Sequence, residues 1–397
     1  MDILIADPDP AHLVRLSNLV ETGGHRTLCA EDGAEAWELY RNGDCNLVIT
    51  AWTMPGLNGL ELLKRIRARR SQQYTYVIIM LPEGDEALAQ ALKTGADDVL
   101  IAPYTPEQLR QRLGVAARIV ALQEALARRD AELETVTRRL RRDLQAAESV
   151  QRTLLPTIGP LLPGVEFAWY LKSCDEVGGD TLNCFRLDER HLCLYVLDVS
   201  GHGVASALLA VQVSRFLNPL LGPGSLLKKV ATSRGGYRLS HPAEVLGDLN
   251  TLFPSQPQTM QFFTMIYGLY DLDSHRLHLA TAGHPGPVIV RAGGAIEIPT
   301  VSGHPIGFFP TTHARFNELT VTLAAGDRVL MYSDGATETA DPEGRTFGAN
   351  RLGEALRDRA GAPLANALDG VVSAMAGWRQ GRPTLDDVSI LALGRDA

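Results

Sequence analysis

Beyond residue 150, four short segments each set an aspartate beside glycine or a second acid, mostly at the edge of an apolar run. They are Val177-Gly178-Gly179-Asp180, Asp198-Val199-Ser200-Gly201-His202-Gly203, Ser333-Asp334-Gly335 and Asp386-Asp387-Val388-Ser389. Aspartates at strand ends, with glycines that let backbone carbonyls approach, supply what hard divalent cations take: oxygen ligands and room for water. Two such ions can hold a water between them, lower its pKa and align it with a phosphorus atom, which needs no nucleophilic side chain. A single Asp-Gly pair is more often a turn than a ligand. The weight lies in four of them together.

The elements that must carry these acids are short strand-like runs parted by glycine-rich turns: Leu192-Leu197, Thr264-Tyr270, Leu277-Ala280, Val288-Val290, Arg328-Tyr332 and Val388-Leu393. Helices are fewer there, over Val204-Phe216, Pro242-Leu252, Arg351-Arg359 and Leu364-Gly377. The pattern predicts an α+β domain over residues 156-397, with a sheet core flanked by helices.

Residues 1-117 have another texture. Strand-like runs at Ile3-Ala6, Arg26-Ala30, Leu47-Thr50, Tyr76-Leu81 and Asp98-Ile101 alternate with helical stretches at Ala11-Glu21, Ala34-Arg41, Gly59-Ala68 and Asp85-Thr94. A fifth helix opens near Thr105. Strands and helices in alternation predict a doubly wound α/β domain around a five-stranded parallel sheet. From Pro106 to Leu154 the only glycine is Gly114 and no further proline occurs, so one long helix is expected, with 118-155 as a helical linker. Leu126, Leu133, Leu140, Ala147 and Leu154 recur every seven residues, although Arg129 and Asp143 interrupt the second seam. Such a stripe packs on its own domains or pairs two chains in a parallel coiled coil. The homodimer is preferred, because so long and charged a helix is hard to bury within one chain.

Composition sets the outer bounds. The 397 residues imply more than one core, and 45% hydrophobic with 21% charged residues describe a globular protein. No apolar run is long enough to cross a bilayer, and the start MDILIADPDP lacks signal-peptide features, so a cytoplasmic, non-membrane protein is expected. The five cysteines form no CxxC pair and read as reduced core thiols. A net charge of -8 argues against nucleic acid as the main partner.

The acidic segments, in this order, resemble the SpoIIE type of metal-dependent protein phosphatase in the protein phosphatase 2C (PPM) superfamily. The likeness runs from Gln151-Arg152-Thr153-Leu154-Leu155-Pro156 to the last strand. It also takes in Thr281-Ala282-Gly283-His284-Pro285, Pro305-Ile306-Gly307, and Leu330-Met331-Tyr332 with Thr337-Glu338. The resemblance implies Asp180 as the first acidic metal ligand and Asp198 as the bridge between two Mn or Mg ions. It adds the Val199 carbonyl as a companion ligand, and Asp334 and Asp386 as the remaining acids. Asp387 is the less certain member of its pair, since one acid of two adjacent ones often faces solvent. His202 reads either as the proton donor to a leaving seryl oxygen or as a packing residue at a helix start. His284 and His304 read as structural. Many relatives place an acid shortly after Gly-Gly-Asp, where this chain has Thr181-Leu182-Asn183-Cys184. Asn183 carries no charge, which bears on full activity more than on metal binding.

The N-terminal domain resembles the response-regulator receiver, through Leu47-Val48-Ile49-Thr50-Ala51 and the run to Gly59, Gly95-Ala96-Asp97-Asp98, and Ile101-Ala102-Pro103-Tyr104. Such a domain needs an aspartate to accept phosphate, an acidic pocket for Mg and a lysine. Ala51 occupies the acceptor position and has no nucleophilic oxygen. Asp7 and Asp9 remain of the acidic pocket, with Pro8 between them, and Ala102 stands where the lysine is expected. The expected Ser or Thr near Met80-Leu81-Pro82 is missing. A pseudo-receiver that docks partners or dimerises is therefore expected.

The function expected is hydrolysis of phosphoserine or phosphothreonine on a regulatory protein in signal transduction. Relatives suggest an anti-sigma-factor antagonist as substrate in a partner-switching pathway. The alternative is a catalytically weak scaffold binding signalling partners through both domains. Four mutually repelling carboxylates favour the enzyme. A DNA-binding regulator lacks support, since no basic recognition stretch is evident.

Overall fold

The computed structural model describes residues 1–69, 73–83, 85–156, 164–220, 225–230, 236–255, 261–310 and 312–396. Two compact units divide it, Met1–Arg138 and Arg139–Ala397.

In the first unit, strands β1 (Asp2–Ala6), β2 (Arg26–Ala30), β3 (Leu47–Ala51), β4 (Tyr76–Leu81) and β5 (Asp98–Ile101) alternate with helices. These are α1 (Pro10–Thr22), α2 (Gly33–Asn42), α3 (Gly59–Ala68), α4 (Asp85–Thr94) and α5 (Pro106–Arg152). The sheet is parallel in the order β2-β1-β3-β4-β5, the doubly wound topology expected from the alternation. Strands β1, β3 and β4 are apolar on both faces, and alternate residues feed two cores. Leu4 and Val48 join one; Ile3, Ile5, Leu47 and Ile49 join the other. Asp9, Asp32 and Asn58 cap α1, α2 and α3 with side-chain oxygens.

Helix α5 is one unbroken element of 47 residues, ending at Arg152, two residues short of the expected Leu154. Leu109, Leu113, Ala116 and Val120 pack into the core of the first unit. Beyond them Leu122, Leu126, Leu133, Val136 and Leu140 are all more than half exposed, so the seven-residue stripe has no cover within the chain among the described residues.

The second unit is a sandwich. Its strands are β6 (Val165–Lys172), β7 (Thr181–Arg186), β8 (His191–Val199), β9 (Lys228–Val230), β10 (Tyr237–Leu239), β11 (Phe263–Asp271) and β12 (Arg276–Ala282). They continue with β13 (Val288–Val290), β14 (Ile296–Glu297), β15 (Glu318–Thr322), β16 (Arg328–Tyr332) and β17 (Val388–Arg395). The helices are α6 (Val204–Phe216), α7 (Pro242–Leu252), α8 (Asp334–Glu338), α9 (Gly348–Arg357) and α10 (Leu364–Arg379). One sheet runs β15-β12-β11-β8-β7 and the other β14-β13-β16-β17-β6; β9 and β10 form a separate hairpin. Strand β8 shows how sequence builds the layers. Leu192, Leu194 and Val196 face the core between the sheets, while Cys193, Tyr195, Leu197 and Val199 face the core under α6 and α7. The second sheet is covered on its outer face by α9 and α10 through Leu352, Leu356, Leu368 and Val371. All five cysteines are free; Cys45, Cys184 and Cys193 are buried, and Cys29 and Cys174 are partly exposed.

Candidate active site

The four acidic segments meet at one edge of this sandwich. Asp198 sits next to last in β8, opposite Thr264 of β11. Asp180 precedes β7, Asp334 opens α8 directly after β16, and Asp386 lies just before β17. Two glycines allow the approach. A Cβ on Gly179 would stand 2.8 Å from the Val199 carbonyl oxygen, and one on Gly335 would stand 2.0 Å from that of Asp387. A side chain at either place would push the segments apart.

Asp387 braces the cluster. Its carboxylate accepts hydrogen bonds from the backbone N–H groups of Cys174 (2.8 Å) and Asp180 (3.2 Å), tying β17 to the turn that carries Asp180. It is 4% exposed, whereas Asp386 is open to solvent, so the solvent-facing acid is Asp386, the reverse of the expectation. Ser333 and Ser389 hold the neighbouring strands in register: Ser389 N donates to Ser333 Oγ at 3.0 Å and Ser333 N to Ser389 O at 3.0 Å.

The remaining acids are left uncompensated. Asp180 is buried, and burial with the charges of Asp198 and Asp387 pushes its carboxyl well above the usual range, opposed by the nearby Ser333 and Ser389 hydroxyls. Its Oδ2 nevertheless has no hydrogen-bond partner of good geometry. Asp198 is pushed up to about 7 by burial, then by Asp334 and Asp386. Asp334 is raised by burial, Asp386 and Glu338. An orphaned carboxylate oxygen within an all-oxygen donor set fits a hard divalent cation. Among the described residues, though, no three His, Cys, Asp or Glu side chains are drawn together closely enough to hold an ion as they stand.

His202 is not a packing residue. Its side chain is 70% exposed and its Nδ1 lies 2.6 Å from Asp175 Oδ2. Asp175 carries no sequence signal, because nothing local relates it to a residue 27 positions on. His284 and His304 bond within the fold. His284 is buried with Nδ1 2.7 Å from Thr264 Oγ1, the residue opposite Asp198, and burial lowers its pKa to about 3. His304 Nδ1 accepts from Arg315 N at 3.0 Å. In the Pro305-Ile306-Gly307 motif, Ile306 exchanges backbone hydrogen bonds with Phe263, and Gly307 N donates to Asn250 Oδ1.

The end of α5 is fastened to the segment that carries Asp180. Gln151 Nε2 donates to the Gly178 carbonyl at 2.9 Å, and Asn183 Nδ2 donates to the Leu154 carbonyl at 2.6 Å. Asn183 Oδ1 accepts from Cys184 N. Its amide is therefore committed to the backbone.

In the first unit, Ala51 ends β3, and the residual acids already have protein partners. Asp7 Oδ1 accepts from Asp9 N at 2.9 Å, and Oδ2 lies 2.6 Å from His12 Nδ1. The far nitrogen of His12 meets the Tyr104 hydroxyl. Asp9 caps α1 by accepting from Ala11 N. The chain from Asp7 through His12 to Tyr104 was not legible in the sequence, since it joins residues 92 positions apart.

Comparison with known proteins agrees with both units. Residues 188–396 match the family described as Stage II sporulation protein E (SpoIIE), and residues 3–114 match the response regulator receiver domain. The phosphoserine phosphatase RsbP of Bacillus subtilis is 24% identical over 248 residues, covering 62% of this chain and 56% of RsbP. A chemotaxis protein CheY homolog of Campylobacter jejuni is 36% identical over 116 residues, 28% of this chain and 89% of its own length. Among solved structures, the SiaA-PP2C domain of Pseudomonas aeruginosa superposes with a TM-score of 0.54 at 23% identity, covering 67% of this chain and 100% of that domain. That last likeness bears on fold alone. With the acidic edge of its sandwich and the parallel sheet before it, the chain belongs to the SpoIIE family of PP2C-type phosphatase domains and carries an N-terminal response-regulator receiver domain.

Proposed function

We propose that the chain is a metal-dependent protein-serine/threonine phosphatase, hydrolysing a phosphoserine or phosphothreonine of a regulatory protein. The observation that carries this reading is the buried carboxylate of Asp180, whose Oδ2 has no hydrogen-bond partner, set among Asp198, Asp334 and Asp386. Asp180, Asp198, the Val199 carbonyl, Asp334 and Asp386 would hold two Mn or Mg ions, with Asp198 shared between them. Ions bound there supply an activated water and charge stabilisation for the phosphoryl group. The chain's own part is orientation. Asp387 fixes the Asp180 turn, and Asp175 holds His202 by Nδ1, leaving Nε2 as the atom that delivers a proton to the departing seryl oxygen.

The substrate we favour is a phosphoprotein of the anti-sigma-factor-antagonist kind, within a partner-switching pathway. The exposed stripe of α5 supports a homodimer through residues 118-155. With Ala51 at the acceptor position and Asp7 bonded to His12, the receiver domain, residues 1-117, serves as a docking module whose state reaches residues 156-397 through α5. Among the described residues no helix is long and apolar enough to cross a membrane. The committed amide of Asn183 favours one second reading, a weakly catalytic scaffold.

The test is phosphate release from a phosphoserine protein and an aryl phosphate, with Mn, with chelator, and with Asp198→Asn. Mn-dependent turnover lost in the variant supports the enzyme. Folded protein that binds Mn and releases no phosphate under any condition moves the reading to the scaffold.

A further inference from the structure

A cleft of about 260 Å³ adjoins the acids. It is lined by Gly335, Glu338, Thr339, Arg379, Arg382 and Asp386, among others. Arg379 ends α10, and Arg382 lies in the turn that leads to Asp386. The Nε of Arg379 is buried and has no hydrogen-bond partner, and among the described residues no carboxylate pairs with its guanidinium. Arg382 donates only to neutral acceptors, the carbonyls of Asp341 (3.4 Å) and Pro342 (2.9 Å), so its charge is also uncompensated. Glu338 and Asp386 share the cleft, yet neither arginine forms an ion pair with them. The cleft thus holds both signs of charge, unpaired, beside the candidate catalytic acids. A guanidinium that lines a cleft without a carboxylate partner is free to take a bound oxyanion.

We propose that this cleft is an anion subsite, in which Arg379, flanked by Arg382, receives an oxyanion carried by the substrate. The proposal rests on the phosphatase reading and extends it to substrate recognition. A guanidinium fork matches two oxyanions, the phosphoryl group itself and a carboxylate next to the phosphoserine. Glu338 and Asp386 repel both, which directs the anion to the arginines and leaves the acid end of the cleft to cations.

The experiment titrates the full chain, with Mg²⁺ present, against inorganic phosphate and two peptides. Each peptide carries a non-hydrolysable phosphonate analogue of phosphoserine, with Asp or Ser beside it. Arg379→Met is expected to weaken one class of binding about tenfold, while Arg379→Lys, which keeps the charge, retains most of it. If phosphate and both peptides weaken together, the oxyanion is the phosphoryl group. If phosphate holds and only the Asp peptide loses its advantage over the Ser peptide, it is the flanking carboxylate. Unchanged affinity for all three probes overturns the proposal. Should Arg379→Met melt early, Arg382→Met reads the same cleft from a surface turn. Because none of these probes is hydrolysed, an absence of Mn-dependent phosphate release would sink the phosphatase reading separately from the subsite.

Discussion

Asp7 and Asp180 are both buried aspartates, 5% and 4% exposed, in units that each resemble a cation-using domain, and they are treated in opposite ways. Both oxygens of Asp7 have protein partners, the Asp9 N–H and the His12 ring. Asp180 keeps one oxygen bare and faces Asp198 across a shared site. Burying a carboxylate is expensive unless something answers its charge. The receiver unit answers with its own imidazole; the phosphatase unit leaves the charge for a ligand. The contrast separates an acidic pocket satisfied by its own side chains from one that leaves a carboxylate oxygen without a partner.

Turnover is the sharpest way to break this comparison. Asp198→Asn is expected to lower Mn-dependent phosphate release by about a thousandfold, whereas His12→Gln in the receiver leaves the rate from an aryl phosphate within about twofold. Equal losses in both variants, measured by steady-state kinetics, would mean that the two pockets do not differ in kind.

The next difference is one of sign. In chelator at pH 8, Asp198→Asn is expected to stabilise the phosphatase unit by on the order of 2 kcal/mol, because it removes a carboxylate whose pKa is raised to about 7. A raised folded-state pKa means the strain is absent near pH 4 and grows as pH rises through 7, so the gain should vanish in acid. Asp7→Asn is expected to destabilise its own unit by about 1 kcal/mol, through a weakened bond to His12. Calorimetry of the full chain reads both. Loss of stability in both variants at pH 8 would deny that the acid cluster is strained.

His284 gives a pH dependence of the opposite direction. Its pKa is lowered to about 3 by burial, so the unfolded chain binds the extra proton between pH 6.5 and 3. Stability from this group is complete above pH 6.5 and falls by about 1.4 kcal/mol per pH unit below it. Urea unfolding of His284→Gln should lack that slope. The smallest effect belongs to the tether of α5. Gln151→Ala deletes the bond to the Gly178 carbonyl and should cost about 1 kcal/mol, read as a lower urea midpoint for the phosphatase unit.

Continuous apolar runs alternating with helical stretches made the receiver sheet legible strand by strand, since β1, β3 and β4 need apolar residues on both faces. The same logic found β8, β11, β12, β13, β16 and β17. It did not find β7, because Thr181–Arg186 is polar at Asn183 and Arg186, and its strand character comes from pairing with β8. Four acids could be picked from motif order. Which member of Asp386-Asp387 is buried could not, because neighbouring residues of one type carry no period. Asp175 beside His202 and Arg379 beside the acids are tertiary facts, set by where loops arrive.

The cysteines carry a practical consequence. Burial pushes up the thiols of Cys45, Cys184, Cys193 and Cys174, the last raised to about 12 with the Asp387 carboxylate adding to the effect. Thiol chemistry proceeds through the thiolate, so these four react slowly at neutral pH. Cys29, on the edge strand β2, is partly open to solvent. A maleimide dye offered to the wild-type protein should therefore attach there first, giving a fluorescent reporter of what binds the receiver without a single mutation.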